Sequence, residues 1–313
     1  MARSILCGTE SVWFKNLSVF ELDEPFTLTP EEVTEQLAEH AFRPCGGLEP
    51  HSLGWAPAMG RLGGELTHAA AGFLLICARR EERLLPPAVV RETVEERIAQ
   101  IESDDFRTVT RKERQRLRDD ITFELMPRAF TRSTYLHAYI APDDGLLVLD
   151  TASAKAAEEL SILLGRSLGR LGLTPFATGR SLTPEMTRWV AENRTPDGIS
   201  LLHDCELRDK ADEKSIVRCV GQDLTSPEIK AHLQAGKEVE RIALSFQERA
   251  SFALAADMTI RRLRFDAVKE MEHDPDLDAQ AQFDLDFAFM TNELRHLLTQ
   301  LGEIFPRAKS MVG

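Results

Sequence analysis

Apolar positions along the chain change period several times, and each change marks an element. Leu17, Val19 and Leu22 follow strand spacing after Trp13-Phe-Lys-Asn16. Thr29-Pro30-Glu31-Glu32 joins a capping box to proline at the first helical position, which predicts a helix carrying Val33, Leu37 and Ala41 inward. A Gly- and Pro-rich loop follows over residues 44–64. Residues 73–77 form a continuous apolar run of the kind a buried strand shows. After Pro86-Pro87, Val90, Val94, Ile98 and Ile101 return at helical spacing. Thr110-Arg-Lys-Glu113 is a second capping box, so a further helix starts at Arg111 and stops before Pro127, which disfavours helical geometry in the residue preceding it. Leu117, Ile121 and Leu125 give that helix one narrow apolar stripe. The two helices read as a hairpin over 87–126 that projects from a sheet.

Residues 135–140 and 146–149 read as a β-hairpin around Asp143-Asp144-Gly145. A helix through Ala156, Leu160, Leu163 and Leu164 runs to Gly169 or Gly172, and residues 174–181 suit a boundary. Beyond it, Thr183-Pro184 opens a short helix with Trp189, and strands fall near 200–207 and 215–220. Thr225-Ser-Pro-Glu228 is a third capping box. Residues 239–246, 251–256 and 259–265 predict an antiparallel meander. A closing helix over 283–301 has Phe287, Met290, Leu294, Leu297 and Leu301 as its seam. This order is α+β, not the alternation of a doubly wound sheet. It divides into a central α+β domain (1–86 and 135–178), a helical tip (87–134) and an α+β base (179–313).

Charge changes the picture at one place. The 313-residue chain has a net charge of −13, yet residues 107–132 hold Arg107, Arg111, Lys112, Arg114, Arg116, Arg118, Arg128 and Arg132 against only Glu113, Asp119, Asp120 and Glu124. Phe130 sits between two of those arginines at a turn. Arginines neutralise phosphates and release counterions, and an exposed aromatic stacks or wedges, so the stretch suits a nucleic-acid backbone. A solvated helix followed by a core phenylalanine is the alternative.

Other chemistry finds little support. The longest apolar run, residues 69–78, is half a membrane span. Five scattered cysteines without a C-x-x-C pair suggest reduced thiols and a cytoplasmic setting. Asp274-x-Asp276-x-Asp278 begins like a calcium loop, but Ala279 and Leu285 stand where glycine and a bidentate glutamate are needed. Neither H-E-x-x-H, a phosphate loop nor G-x-S-x-G occurs, so no metal, cofactor or catalytic role is expected. The acidic segment 266–286 supplies a second functional reading, a protein-interaction surface with only weak contact to DNA.

Short stretches in one order identify the chain as a member of the bacterial recombination-associated RdgC family. They are Trp13-Phe-Lys-Asn-Leu17, Gly54-Trp55 with Met59-Gly60, Leu66-Thr-His68, Ile76-Cys-Ala-Arg79, Pro127-Arg-Ala-Phe130, Ala152-Ser-Ala-Lys155, Gln222-Asp-Leu-Thr-Ser226, Arg262-Leu-Arg-Phe265 and Phe283-x-x-Asp-Phe287 with Met290-Thr291. The resemblance implies a curved, multi-lobed α+β protomer with mixed or antiparallel sheets and a projecting helical hairpin, pairing into a ring-shaped homodimer around double-stranded DNA. It implies nucleoid association, binding without sequence preference, and restraint of the RecA recombinase by limiting its access to DNA. In these terms Phe130 is an exposed aromatic on a finger, Arg107 lies near one dimer interface, and Gln222 belongs to the opposite interface, a possible gate. The family's pattern has lysines before the glutamine, where this chain has Val220-Gly221. Residues 1–11 extend past the family's start, which reads as a misassigned initiation site or a dispensable tail.

Overall fold

The computed structural model describes residues 12–169, 171–176, 181–212, 214–266 and 277–306. Its first half builds one antiparallel sheet from β1 (Ser18–Leu22), β2 (His51–Ala56), β3 (Thr67–Ala70), β4 (Phe73–Leu84), β5 (Phe130–Ala141), β6 (Leu146–Leu149) and β7 (Leu173–Pro175), with helices α1 (Pro30–Ala38), α2 (Pro87–Asp105), α3 (Arg111–Leu125) and α4 (Ala154–Leu168). The strand order is β2-β4-β5-β6-β1-β7, and β3 pairs with the start of β4. The second half carries α5 (Thr183–Glu192), β8 (Ile199–Asp209), β9 (Ile216–Cys219), α6 (Pro227–Gln234), β10 (Lys237–Phe246), β11 (Ala250–Ala255), β12 (Ile260–Phe265) and α7 (Ala279–Ile304). Its sheet order is β12-β11-β10-β8-β9, again antiparallel. The α+β expectation therefore holds, with antiparallel ladders throughout both described sheets.

Strand alternation explains how the first sheet is covered. Val19, Phe73, Leu75, Tyr139 and Val148 point to a core shared with α7, whereas Leu74, Ile76, Ala78, Ala138, Ile140, Leu147 and Leu149 point to a second core under α1 and α4. Both faces are apolar because both are covered, which is why residues 73–78 read as an unbroken hydrophobic run. The α7 seam is fully buried at Phe287, Met290 and Leu294, and Phe287 meets the rings of Phe73 and Tyr139 edge-on. Burial of each such side chain contributes about 1.5–3 kcal/mol. Backbone bonds between Leu17 and Ile260 in both directions (2.8 and 3.0 Å) tie the first strand of one half to the last strand of the other.

Several local expectations are corrected. Helix α1 ends at Ala38, and Ala41 is exposed in a bridge to Trp55. A Cβ on Gly54 would lie 2.6 Å from the Phe42 Cα, so the close return of this segment requires the glycine. Helix α6 is capped at Ser226 without a side-chain bond, since the Thr225 hydroxyl turns instead to Asp223 (2.7 Å); no capping box forms there. Residues 173–175, placed partly in the boundary, are a strand on β1. Strands β4 and β5 run on to Leu84 and Phe130, past the apolar runs that announced them.

Candidate nucleic-acid interface

The hairpin stands on its own small core. Val90, Val94 and Ile98 of α2 pack against Ile121 of α3, with Leu85, Val109, Leu117 and Leu125 around them. Helix α3 buries Ile121 alone, so most of its surface is open to solvent. Its start is the expected capping box: the Thr110 hydroxyl accepts from the Glu113 amide (3.3 Å), and Glu113 accepts from the Thr110 amide (2.9 Å). The bonds from Thr110, and then Arg107, hold the Glu113 carboxyl below the usual carboxylate range. Pro127 follows the last helical turn and lies in a 3-10 turn, Met126–Arg128.

The structure divides the eight cations of this stretch. Arg107 bonds Glu113 (2.8 Å) and Asp105 (3.2 Å), Arg114 bonds Glu95 (2.5 Å), and Arg132 bonds Glu82 across the β4–β5 ladder. Glu82 also receives Arg80 at 2.5 Å, and Arg80 and then Arg132 lower its pKa. Arg111, Lys112, Arg116, Arg118 and Arg128 are exposed and form no ion pair with another described residue. At 100° per residue, Lys112, Arg116 and Phe123 fall within about 40° of one another, on the side of α3 opposite Ile121. Phe123 is 63% exposed.

Phe130 is not at a turn but begins β5, with Leu84 as its cross-strand partner, and it is 84% exposed. The core-packing alternative for this residue is thereby removed. Its approach is held by Arg83. From β4 that guanidinium donates to the carbonyls of Met126 (3.2 Å), Pro127 (3.4 Å) and Ala129 (3.2 Å) on one side, and of Gly46 (3.1 Å) and Cys45 (3.4 Å) on the other. One side chain thus pins the turn before Phe130 to the loop before β2. A third exposed aromatic, Phe106 (93% exposed), occupies a left-handed conformation (φ 50°) at the C-cap of α2. Sequence reading missed Phe106, Phe123 and Arg83. A helical wheel shows Phe123 on the polar side, whereas nothing local marks Arg83.

Gln222 lies elsewhere, exposed just after β9, with its amide bonded to the His203 carbonyl (2.9 Å) and an exposed Val220 two residues before it. Arg107 is in the link between α2 and α3, so the two residues implied for opposite interfaces stand on different parts of the fold. Asp278 caps α7 by accepting from Ala281 (2.7 Å), while residues 274 and 276 of the calcium-like spacing, with the rest of 267–276 in the acidic segment, lie outside the described residues. Among the described residues no group of three or more His, Cys, Asp or Glu side chains is placed to hold a metal ion. No described helix is long and apolar enough to cross a membrane.

Residues 12–308 match the family model described as "Putative exonuclease, RdgC". The chain belongs to the RdgC family. Similar RdgC proteins, each named recombination-associated protein RdgC, occur in Halorhodospira halophila (42% identity over 96% of this chain and 99% of that protein) and in Aeromonas hydrophila (40%; 93% and 96%). That of Salmonella paratyphi B is 39% identical over 93% of this chain and 97% of its own length. The relatives' names point to recombination, while the family description names a nuclease activity.

Proposed function

We propose that this RdgC chain is a non-catalytic protein of recombination that binds duplex DNA without sequence preference. It acts in the cytoplasm, on the nucleoid, as a ring-shaped homodimer that limits access of the RecA recombinase to DNA. The observation that carries the reading is the set of five exposed cations on the hairpin and its turn with no ion pair among the described residues, Arg111, Lys112, Arg116, Arg118 and Arg128, beside an exposed Phe130. Cations that neutralise phosphates hold a duplex whatever its bases, because contacts to the backbone carry no sequence information. Arg107, Arg114 and Arg132 already have carboxylate partners, so they contribute less, and Arg107 is left to an interface role near the hairpin link.

Fluorescence anisotropy on two unrelated duplexes of equal length, each over a salt series, tests this. Five phosphate contacts per protomer, ten in the homodimer, predict a log–log salt slope steeper by about 9 than that of a neutral surface, the same for both sequences. Arg116→Gln with Arg118→Gln removes four cations from the homodimer and should lower that slope by about 3.6 on both. Absence of binding at low salt, or a loss confined to one sequence, would overturn the proposal. Labelled duplex incubated with magnesium and protein should keep its length; shortening would return the nuclease reading.

A further inference from the structure

The outer face of the second sheet carries chemistry that no motif announces. On β10 and β11 the even-numbered residues Ile242, Leu244, Phe246, Phe252 and Leu254 are buried in the core. The odd-numbered Arg241, Ala243, Ser251 and Ala253 remain partly open to solvent on the other side. Together with neighbouring strands they floor a shallow hollow of about 260 Å³, and four arginines line it: Arg218 on β9, Arg241 on β10, and Arg262 and Arg264 on β12. Among the described residues, two acids are ion-paired to them. Buried Glu206 on β8 accepts from both Arg218 (2.9 Å) and Arg241 (2.8 Å) through one oxygen, so it holds the two guanidiniums side by side. Asp204 lies 3.8 Å from Arg262, and Arg264 is exposed with no ion pair to a described residue. Residue spacing in sequence hides this group, because its members come from three strands; the ladder β12-β11-β10-β8-β9 assembles it.

We propose that this sheet face is a second backbone-contact surface for the same duplex DNA, distinct from the hairpin; the inference rests on the DNA-binding reading above. Four strand spacings of about 4.8 Å spread the arginines over roughly 19 Å, more than the width of a major groove, so they meet phosphates on both sides of one groove. The floor of alanine and serine lets a broad polyanion approach closely, and a planar guanidinium bonds phosphate oxygens in pairs. A protein partner is disfavoured by the same floor, because the lining aromatic Phe252 is buried and so is not an exposed anchor of the kind that dominates protein interfaces. The face runs to Val220 at its rim, two residues before Gln222, so it adjoins the segment implied as the gate.

Arg262→Gln with Arg264→Gln tests the assignment in the full-length chain. Both side chains are exposed, and neither holds Glu206, so the melting temperature should stay unchanged. Anisotropy with a fluorescent duplex should show the homodimer's salt slope lowered by about 3.6, and the combination with Arg116→Gln and Arg118→Gln lowered by about 7.2. Ser251→Glu provides an independent variant: it stands opposite Arg264 in the ladder, forms a favourable cross-strand pair, and presents an acid to the phosphates. It should weaken DNA binding without loss of stability. Wild-type binding with a slope unmoved by both changes would overturn this inference alone. Failure of the wild-type chain to bind duplex would overturn it together with the hairpin reading.

Discussion

Replacing Arg83 by methionine removes the donors that join the 126–129 turn to the 45–46 loop while keeping an unbranched apolar stem. Three of the carbonyls it reaches, those of Gly46, Met126 and Ala129, lie within 3.2 Å, and the two at 3.4 Å add little. A hydrogen bond from a charged group contributes about 1.5–3 kcal/mol. Arg83 is only half-buried, so water competes, and three bonds at the low end discounted by half give about 2 kcal/mol. That energy stabilises the turn and not the whole fold. The sensitive assay is therefore amide exchange at Ala129, whose N–H donates to the Met126 carbonyl (3.2 Å): about 2 kcal/mol corresponds to roughly 30-fold faster exchange, with the global urea midpoint much less changed. Phe130→Ala makes the complementary test. With 84% of the residue exposed, it hides about 30 Å² of the roughly 200 Å² that a phenylalanine buries, worth about 0.8 kcal/mol at most. Loss of a stacking aromatic should nevertheless weaken DNA binding by about 1–3 kcal/mol, or 5- to 150-fold. Unchanged exchange at Ala129 in the Arg83 variant would refute the clamp. A stability loss of about 3–5 kcal/mol in Phe130→Ala, as for a core phenylalanine, would refute the exposed finger.

Two further outcomes follow from local chemistry. Thr110→Ala removes one half of the α3 capping box and should cost about 1 kcal/mol of hairpin stability, measured as faster exchange in the first turn; Thr110→Ser should restore it. Burial lowers the His137 pKa to about 4, so the folded ring stays neutral while the unfolded chain takes up its proton near 6.5. The stabilisation is complete at neutral pH and is lost as pH falls from 6.5 toward 4, by up to about 3 kcal/mol. Urea midpoints at pH 7.5 and 4.5 should therefore diverge less in His137→Gln than in the wild type; equal divergence would remove His137 as the cause.

What the sequence by itself determined was local. Capping boxes at Thr29 and Thr110, proline positions, and the 3.6-residue seam of α7 specify helices because their bonds close within four residues. The apolar alternation of the meander likewise specified β10, β11 and β12. The polar halves of β4 and β5, from Arg79 to Leu84 and from Phe130 to Thr134, were not legible, since ladder pairing there is supported by a distant strand and not by burial. The third capping box failed because Asp223 competes for the Thr225 hydroxyl. At the candidate interface the sequence located the basic stretch and Phe130, but tertiary structure alone decided which charges are free. Arg114 finds Glu95 nineteen residues away and Arg132 finds Glu82 fifty away, whereas Arg111, Lys112, Arg116, Arg118 and Arg128 meet no carboxylate among the described residues. The clamp at Arg83 and the arginine face of the second sheet arise in the same way. Periodicity records which side of an element is apolar, while a charge's partner depends on which strands and helices the topology sets beside it.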